Sequence, residues 1–482
     1  MNKFKKHLLL LVLVPGLLLG RVVEAASPHD WFEQFKASAS DAELYQFLYL
    51  MPKGGDLHNH LSGSGLPQWW YDGALAQSTK GYNYYTKIKI ENCRGYGGNA
   101  FGGDRYYLMF RNISARTFAK LPACEQAEYK PLVELSAEEK AAWLDSIRLD
   151  KLHEGRNEFF ETHWQRLNEL TTNPYLIAEI LYQNMAAFGA EGMLYLETQA
   201  GADGYLKADG TLFAADEVVA IFRERINRKD ALATGVTVRF QSAILRFLPS
   251  AEQDLKRVYQ FVHEHNDLWV GVNMVGREDN DKGYPLRFLP TLRELRQRYS
   301  GVKLSIHAGE VDEPNDHVKD TLLLGADRIG HGVNLITDPE TMVLMRHGPY
   351  MVEINLISNK LLEYVQNYAQ HPFPEYLRVD IPVALSTDDR GMWDSRLTDE
   401  FFVAVKEFDL SWEELQTLHN NSLQYSFLDA ETKAKLLSRL ASNSEKFIAR
   451  AMRSNSWQKS ATPAPLGFIC RTYQLCEAAA SN

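Results

Sequence analysis

Four residues of this chain have the types and spacing of a metal site. His58 and His60 are separated by one residue within the segment 54–63, and alternation along a strand would point both imidazoles to the same side. His307 and Asp388 each lie at the end of a later apolar run. Three imidazoles and one carboxylate form a shell typical of a catalytic zinc that keeps room for a water. The sequence therefore predicts that these four side chains hold a metal ion.

Three neighbouring residues would supply the other groups that a zinc hydrolase needs. Glu310 follows His307 by three residues, so the turn after the strand can carry its carboxyl group over a substrate as a proton donor. His331 is the predicted base that orients the attacking water, and its two flanking glycines would let a planar ligand approach the backbone. Adjacent carboxylates on a strand cannot both face one metal, so Asp389 is expected to contact the substrate or support a ligand. The alternative for the aspartate pair is a helix N-cap after a strand.

The segment 273–276 indicates how many metal ions bind. A barrel hydrolase with two metals needs a bridging group here, typically a modified lysine or a glutamate, and the segment contains neither. One Zn²⁺ per chain is therefore expected. Gly276 would instead leave a backbone amide that can donate to a ring nitrogen of the substrate.

Alternating helix-like and strand-like segments must position these residues. Helical periodicity is present at 158–170, 174–188, 215–226, 251–265, 290–298 and 318–324. Strand-like runs are present at 56–60, 193–198, 236–245, 268–275, 303–307, 328–329, 350–355 and 383–386. This alternation predicts an α/β fold, a (β/α)8 TIM barrel whose active site lies at the carboxyl ends of the strands. An open doubly wound sheet is the alternative, but no Gly-x-Gly-x-x-Gly turn supports it.

The N-terminus has the pattern of an export signal. Three lysines precede the apolar run 8–19, and small residues that suit cleavage end at Ala25. The run is too short to span a bilayer comfortably, so residues 1–25 are predicted to be a removed signal peptide. The protein is accordingly expected to be secreted or periplasmic, and an uncleaved anchor is the alternative.

The rest of the chain is predicted to contain one large domain with additions. Residues 26–50 would form an N-terminal helical extension, and 51–455 would form the barrel. A region at about 66–150, rich in tyrosine, glycine and asparagine, reads as an insertion after the first strand. Residues 456–482 are expected to be a loosely attached C-terminal tail.

Charge and apolarity limit the classes of partner. The 482 residues carry a net charge of −10, and loss of the signal would leave 48 basic and 61 acidic residues. This balance argues against nucleic acid as a partner. No other apolar stretch is long enough to cross a membrane, so no stable span is expected after cleavage. A homodimer is one assembly that such a barrel can form.

The four cysteines form two local pairs outside the predicted strands. In an oxidising compartment each pair could close a disulfide, and we favour Cys93 with Cys124 and Cys470 with Cys476. A four-cysteine zinc cluster is the alternative, but the sequence lacks the close Cys-x-x-Cys spacing of such clusters.

Four motifs in order carry a resemblance to a known family. They are Met51-Pro52-Lys53-Gly54-Gly55-Asp56-Leu57-His58-Asn59-His60, His307-Ala308-Gly309-Glu310, Arg328-Ile329-Gly330-His331-Gly332 and Ser386-Thr387-Asp388-Asp389. With these motifs, the chain resembles the adenosine deaminase family of metal-dependent hydrolases. The Pro-Lys-Gly-Gly segment before the first histidines and the insertion after the first strand are similar to features of its secreted, growth-factor-type branch.

The resemblance implies zinc-dependent hydrolysis of adenosine or 2′-deoxyadenosine to inosine or 2′-deoxyinosine and ammonia. By motif match, the four side chains predicted above would hold the zinc. The resemblance also implies that Glu310 protonates the purine at N1 and that His331 holds the attacking hydroxide. It further implies contacts of Asp389 with N7 and of Gly276 with N3.

The predicted substrate rim departs from the family pattern. Ser62 stands where adenosine-specific members usually have an aspartate that meets the ribose, and Arg390 follows the paired aspartates where proline is common. The segment 353–356 lacks the Cys-Pro often seen there. Phe160 and Trp164, four apart on a predicted helix, would either wall the pocket, as similar aromatics do in the family, or pack in the core.

Three functions therefore remain open at the level of sequence. The first is deamination of adenosine or its 2′-deoxy analogue. The second is a zinc amidohydrolase that acts on another aminopurine, an N6-modified purine or a different C–N bond. The third is a secreted signalling or binding protein with a vestigial site, against which the intact set of ligands, Glu310 and His331 argues.

Overall fold

Eight parallel strands form the centre of the fold, and each pairs with the next along the chain. The structure, a computed structural model, describes residues 27–91, 93, 107–280 and 282–476, so the predicted signal peptide lies outside the described residues. The barrel strands are β1 (Lys53–Asp56), β2 (Met193–Gln199), β3 (Thr237–Leu245), β4 (Trp269–Val275), β5 (Lys303–Ala308), β6 (Arg328–His331), β7 (Met351–Ile354) and β8 (Val383–Leu385).

A single parallel bridge between Asn59 and Asp388 joins the segment after β1 to the segment after β8. This bridge closes the sheet, which confirms the predicted (β/α)8 barrel. The first strand lies earlier in the chain than the predicted 56–60, because β1 spans Lys53–Asp56 and the segment through His60 continues only by isolated bridges. The carboxyl ends of all eight strands therefore meet at one mouth.

Helices cover the outside of the barrel. The α-helices are Pro28–Ser38, Asp41–Leu50, Pro67–Ala76, Ala115–Phe118, Ala123–Gln126, Ala137–Ile147, Arg156–Glu158, Trp164–Leu167, Pro174–Ala190, Ala215–Ile226, Lys229–Ala233, Ala251–Glu264, Leu289–Arg298, His317–Leu323, Pro339–His347, Leu356–Leu361, Phe373–Arg378, Arg390–Trp393, Leu397–Phe408, Trp412–Gln424, Ala430–Arg453 and Gly467–Tyr473. Helix Ala251–Glu264 is typical, since Leu255, Val258 and Val262 recur on one face and are buried against the sheet. Among the described residues, no helix is both long and apolar enough to cross a membrane.

The segment between β1 and β2 contains a small antiparallel sheet of its own. Its strands are Tyr84–Lys87, Asn112–Ser114 and Tyr129–Pro131. Cys93 is disulfide-bonded to Cys124 beside this sheet, and Cys470 is bonded to Cys476 near the C-terminus. Both predicted pairings are confirmed.

The described part of the C-terminal tail packs against the rest of the protein. Trp457 is buried against Phe35 and Phe47 of the two N-terminal helices. Phe468 and Ile469 are buried as well. The expectation of a loosely attached tail is therefore wrong for residues 456–476, because the apolar side chains of this segment are buried in the hydrophobic core.

Candidate active site

A cavity of about 550 Å³ opens at the carboxyl ends of the barrel strands. Most of the predicted site residues line it, namely His60, Ser62, Phe160, Trp164, Gly276, His307, Glu310, Asp388 and Asp389. His58 and His331 lie next to these residues and are fully buried. The barrel thus brings together residues that are more than 300 positions apart in the chain.

The four predicted ligand side chains form one cluster. One ligand atom from each of His58, His60, His307 and Asp388 lies within 4.8 Å of the others. Nε2 of His60 is 3.2 Å from Nε2 of His307 and 3.2 Å from Oδ1 of Asp388. Two histidines and a carboxylate that converge at this range are typical of the donor set of a metal ion.

The hydrogen-bond partner of His58 shows which ring nitrogen faces the cluster. Nδ1 of His58 lies 2.7 Å from a carboxylate oxygen of Glu353, which can only accept while it is ionised. Burial opposes that ionisation, but the adjacent charge of Arg328 and the hydrogen bond from His58 hold the pKa of Glu353 below its usual range. Nδ1 of His58 is therefore the donor, and Nε2, which has no hydrogen-bond partner among the described residues, presents a lone pair to the cluster.

His307 also carries its proton on Nδ1 and a lone pair on Nε2, and a chain of side-chain amides fixes this arrangement. The Gln241 amide nitrogen donates to Glu197, and Asn273 Nδ2 in turn donates to the Gln241 oxygen. This leaves Oδ1 of Asn273 facing Nδ1 of His307 at 2.9 Å, so that Nδ1 donates and Nε2 keeps its lone pair. Converging lone pairs and a carboxylate repel one another unless a cation lies between them, so the residues present fit a bound metal ion.

Glu310 lies in a buried pocket that favours the protonated form of its carboxyl group. Burial, together with the negative charges of Asp388 and Glu278, raises the pKa of Glu310 to about 8. Glu278 also fixes the loop, because it accepts hydrogen bonds from the main-chain amides of Gly309 and Glu310 at 3.0 and 2.8 Å. Glu310 can therefore serve as an acid at neutral pH.

Asp389 approaches the cavity next to a glycine. A Cβ atom on Gly63 would lie 1.5 Å from Oδ1 of Asp389, so only glycine allows this approach. Oδ1 of Asp389 has no hydrogen-bond partner among the described residues. Burial and the charge of Asp388 raise the pKa of Asp389 well above its usual range, so this group can donate a hydrogen bond to an acceptor in the cavity.

His331 is held in an unusual backbone conformation at the end of β6. Its φ is +67°, a left-handed value that a histidine adopts only under constraint. Nε2 of His331 lies 3.7 Å from Oε1 of Glu310. The expectation that Gly330 admits a planar ligand is wrong, because the His58 ring fills that space and would be 2.7 Å from an added Cβ.

Phe160 and Trp164 wall the cavity and also pack against the core. The single helix predicted at 158–170 is interrupted here by a one-turn π-helix, Phe159–His163. Insertions of this kind occur often at functional sites because they re-aim side chains. The ring of Trp164 lies 6.3 Å from the ring of His60, which places this segment over the metal cluster.

Sequence reasoning missed several polar residues of the site. The additional polar side chains that line the cavity are Gln165, Asn168, Thr171, Gln199 and Tyr205. Glu353 and Asn273, which orient the ligand histidines, were also missed. A polar residue inside an otherwise apolar strand was the available signal, since a buried polar group needs a specific partner.

Comparison with known proteins places this site in context. The adenosine deaminase family model matches residues 127–443. An N6-methyl-AMP deaminase-L from Xenopus laevis is 30% identical over 251 residues, which cover 52% of this chain and 70% of that protein. An adenosine deaminase from Lutzomyia longipalpis is 23% identical over 448 residues, which cover 85% of this chain and 80% of that protein.

A solved structure has the same fold. A Burkholderia ambifaria amidohydrolase with bound zinc superposes with a TM-score of 0.61 at 18% identity, covering 86% of this chain and 96% of that one.

Proposed function

The chain belongs to the adenosine deaminase family, and from that premise we propose that it is a zinc-dependent aminohydrolase that converts adenosine or 2′-deoxyadenosine to inosine or 2′-deoxyinosine and ammonia. The observation that carries the proposal is the convergence of four ligand side chains with the buried carboxyl group of Glu310 at one cavity. The family is metal-dependent, and one zinc per chain, held by His58, His60, His307 and Asp388, is part of the proposal.

The proposed chemistry divides among the residues of the site. Zinc, when bound, supplies a nucleophilic hydroxide at neutral pH because it lowers the pKa of water to about 7. Glu310 donates its proton to N1 of the purine, which makes C6 electrophilic. Asp389 donates to N7, and the main chain at Gly276 contacts N3, so the ring is oriented. His331 positions the attacking oxygen. The 6-amino group takes up the proton of the hydroxyl group added at C6 and leaves as ammonia, and the oxygen remains as the C6 carbonyl.

The lining of the cavity supports a nucleoside rather than a nucleotide. Among the described residues, no lysine or arginine lines it, although a 5′-phosphate is normally met by such cations. Its volume of about 550 Å³ lies in the range of pockets for ligands larger than a free base. Ser62 and Gln199 lie on this lining and are the proposed partners of the sugar hydroxyls.

The alternative substrate is an N6-modified purine or its monophosphate. The Xenopus relative is named as an N6-methyl-AMP deaminase, and the family model alone does not separate these substrates. A cavity without lysine or arginine in its described lining argues against the monophosphate.

We also propose that the protein acts outside the cytoplasm. The signal-like residues 1–25 and two disulfides support secretion or a periplasmic location. N-terminal sequencing of the exported protein should begin at Ala26, and a chain that retains residues 1–25 would contradict the proposed cleavage. Membership of the growth-factor-type branch and the formation of a homodimer remain predictions.

Release of ammonia or methylamine by the zinc-loaded protein tests the function. The panel is adenosine, 2′-deoxyadenosine, adenine, AMP, N6-methyladenosine and N6-methyl-AMP, each repeated after chelation. We expect turnover of adenosine or 2′-deoxyadenosine that disappears with the metal. Turnover of only another member of the panel would mean that this compound is the substrate. No turnover of any member by the zinc-loaded protein would favour a signalling or binding function.

A further inference from the structure

The hydrogen-bond partners of His331 differ in kind from those of the two ligand histidines. Nδ1 of His331 lies 3.0 Å from the side-chain nitrogen of Asn359 and 3.3 Å from that of Asn355. All three residues are fully buried, so water does not compete for these contacts. The orientation of the Asn359 amide decides whether Nδ1 accepts or donates, because its oxygen and nitrogen differ only in hydrogen-bonding role.

A main-chain group settles that orientation. The amide N–H of Phe373, which can only donate, points at Nδ1 of His371 at 3.1 Å. Nδ1 of His371 must therefore carry a lone pair, and the ring proton of His371 lies on Nε2. Nε2 of His371 is 3.1 Å from Oδ1 of Asn359 and donates to it.

The same logic continues to the active site. Because the Asn359 oxygen accepts from His371, the Asn359 nitrogen faces His331 and donates to its Nδ1. An imidazole that accepts at Nδ1 keeps its proton at Nε2. Nε2 of His331 is buried and has no hydrogen-bond partner among the described residues, and it faces the Glu310 side of the site.

We propose that His371 and Asn359 are positioning residues that fix His331 in the tautomer with its proton on Nε2. Two consequences follow for the reaction proposed above, on which this part of the inference rests. His331 holds the attacking oxygen by donating a hydrogen bond to it, and in this state does not act as a base toward it. An Nε2 that carries a proton also has no lone pair for a metal, so His331 is excluded from the ligand set although it forms a second group of possible ligands with His307 and Glu310.

The contrast with His307 supports this assignment. The chain behind His307 ends at the carboxylate of Glu197, which can only accept, and it places the His307 proton on Nδ1. The chain behind His331 ends at a main-chain N–H, which can only donate, and it places the proton on Nε2. Neighbouring histidines thus receive opposite tautomers from terminal groups of opposite polarity.

The tautomer can be measured without turnover. The test is a long-range ¹H–¹⁵N correlation spectrum of the full zinc-loaded protein labelled with ¹⁵N-histidine, in which the His331 signals are identified by their loss in His331→Gln. We expect an unprotonated shift for Nδ1 of His331 and a protonated shift for Nε2. A protonated Nδ1, or an Nε2 with the shift of a metal-bound nitrogen, would overturn the inference whether or not the protein deaminates any purine.

Two variants test the positioning role. Asn359→Asp replaces the donor beside His331 by an acceptor of the same shape, so we expect the proton to move to Nδ1 and kcat to fall about 100-fold with KM and zinc content retained. His371→Phe, which removes the link without adding a charge, should lower kcat about 10-fold. The control, His347→Gln, changes an exposed histidine and should leave both the spectrum of His331 and kcat unchanged.

The outcomes separate this inference from the proposed function. Folded, zinc-loaded variants that keep the wild-type tautomer and a kcat within twofold of wild type would overturn the positioning role. If no purine is turned over, the spectra of wild type and of the two variants alone decide the inference.

Discussion

The main-chain amide of Asp388 donates a hydrogen bond of 2.8 Å to the carbonyl of His58. This contact joins the segments after the first and the last barrel strands, so the closure of the barrel also brings together two members of the ligand cluster. Asp388 has a φ of +53°, which an aspartate adopts at a cost that the surrounding contacts must offset. The strain and the closure both lie at the ligand cluster, where pre-organisation of donors is needed.

The two adjacent aspartates should respond differently to substitution. Asp388→Ala should lose zinc, because it removes the carboxylate of the cluster. Asp389→Ala should retain zinc and lose about 100-fold in kcat, because Asp389 faces the cavity without joining that cluster. Metal analysis after dialysis and steady-state kinetics measure both effects. Asp216→Ala, at an exposed position, is the control, and the reverse pattern for the pair would exchange their roles.

Glu353 should control metal affinity without touching the metal. Glu353→Gln replaces the carboxylate that accepts from Nδ1 of His58 by an amide that can also donate, so the lone pair at Nε2 is no longer secured. We expect zinc affinity to fall about 10- to 100-fold. Competition with a chromogenic chelator measures it. Glu340→Gln on the surface is the matched control. An unchanged zinc affinity in Glu353→Gln would contradict the prediction that Glu353 supports His58 as a ligand.

Glu310 should set the alkaline limit of activity. Burial raises its pKa to about 8, so the acid form, which is the proposed proton donor to the purine, is present below that pH and is lost above it. We expect kcat/KM to decline above about pH 8, and Glu310→Gln to lower it by about 10² to 10⁴ with zinc retained. Glu313→Gln on the same loop is exposed and serves as the control. Near-normal turnover by the zinc-loaded Glu310→Gln protein would show that another group donates the proton.

Lys53 should be a major contributor to stability. Its ammonium group is fully buried and donates to the carbonyls of Leu48, Tyr49, Met51 and Glu191, so it caps the end of helix Asp41–Leu50.

Lys53→Met would leave these carbonyls unpaired, and we expect the free energy of unfolding to fall by about 3 kcal/mol. Chemical denaturation monitored by circular dichroism measures the change. Lys406→Met, which breaks a solvent-exposed ion pair with Asp41 at the other end of that helix, should cost less than about 1 kcal/mol. Equal losses of unfolding free energy in the two variants would mean that the buried hydrogen bonds of Lys53 stabilise the protein no more than an exposed ion pair does.

Much of the site follows from spacing that is local in the chain. The two histidines at 58 and 60 are recognisable by their spacing. Glu310 three residues after His307 and the aspartate pair at 388 and 389 are recognisable because each follows an apolar run. Strand and helix alternation then places all strand ends at one mouth, whatever the details of packing. The barrel was predicted from this alternation and the two disulfides from the local pairing of the cysteines, and the structure confirms both predictions.

The tertiary structure alone decided how these groups are supported. Glu353 meets His58 across 295 positions, and His371 reaches His331 only through Asn359. The direction of each hydrogen bond depends on whether the last group in a chain is a donor or an acceptor, and no local pattern encodes that polarity. The sequence by itself therefore determined the residues of the ligand cluster and Glu310, while the packing of distant strands and loops determined the polar residues that support them and the proton positions on the histidines.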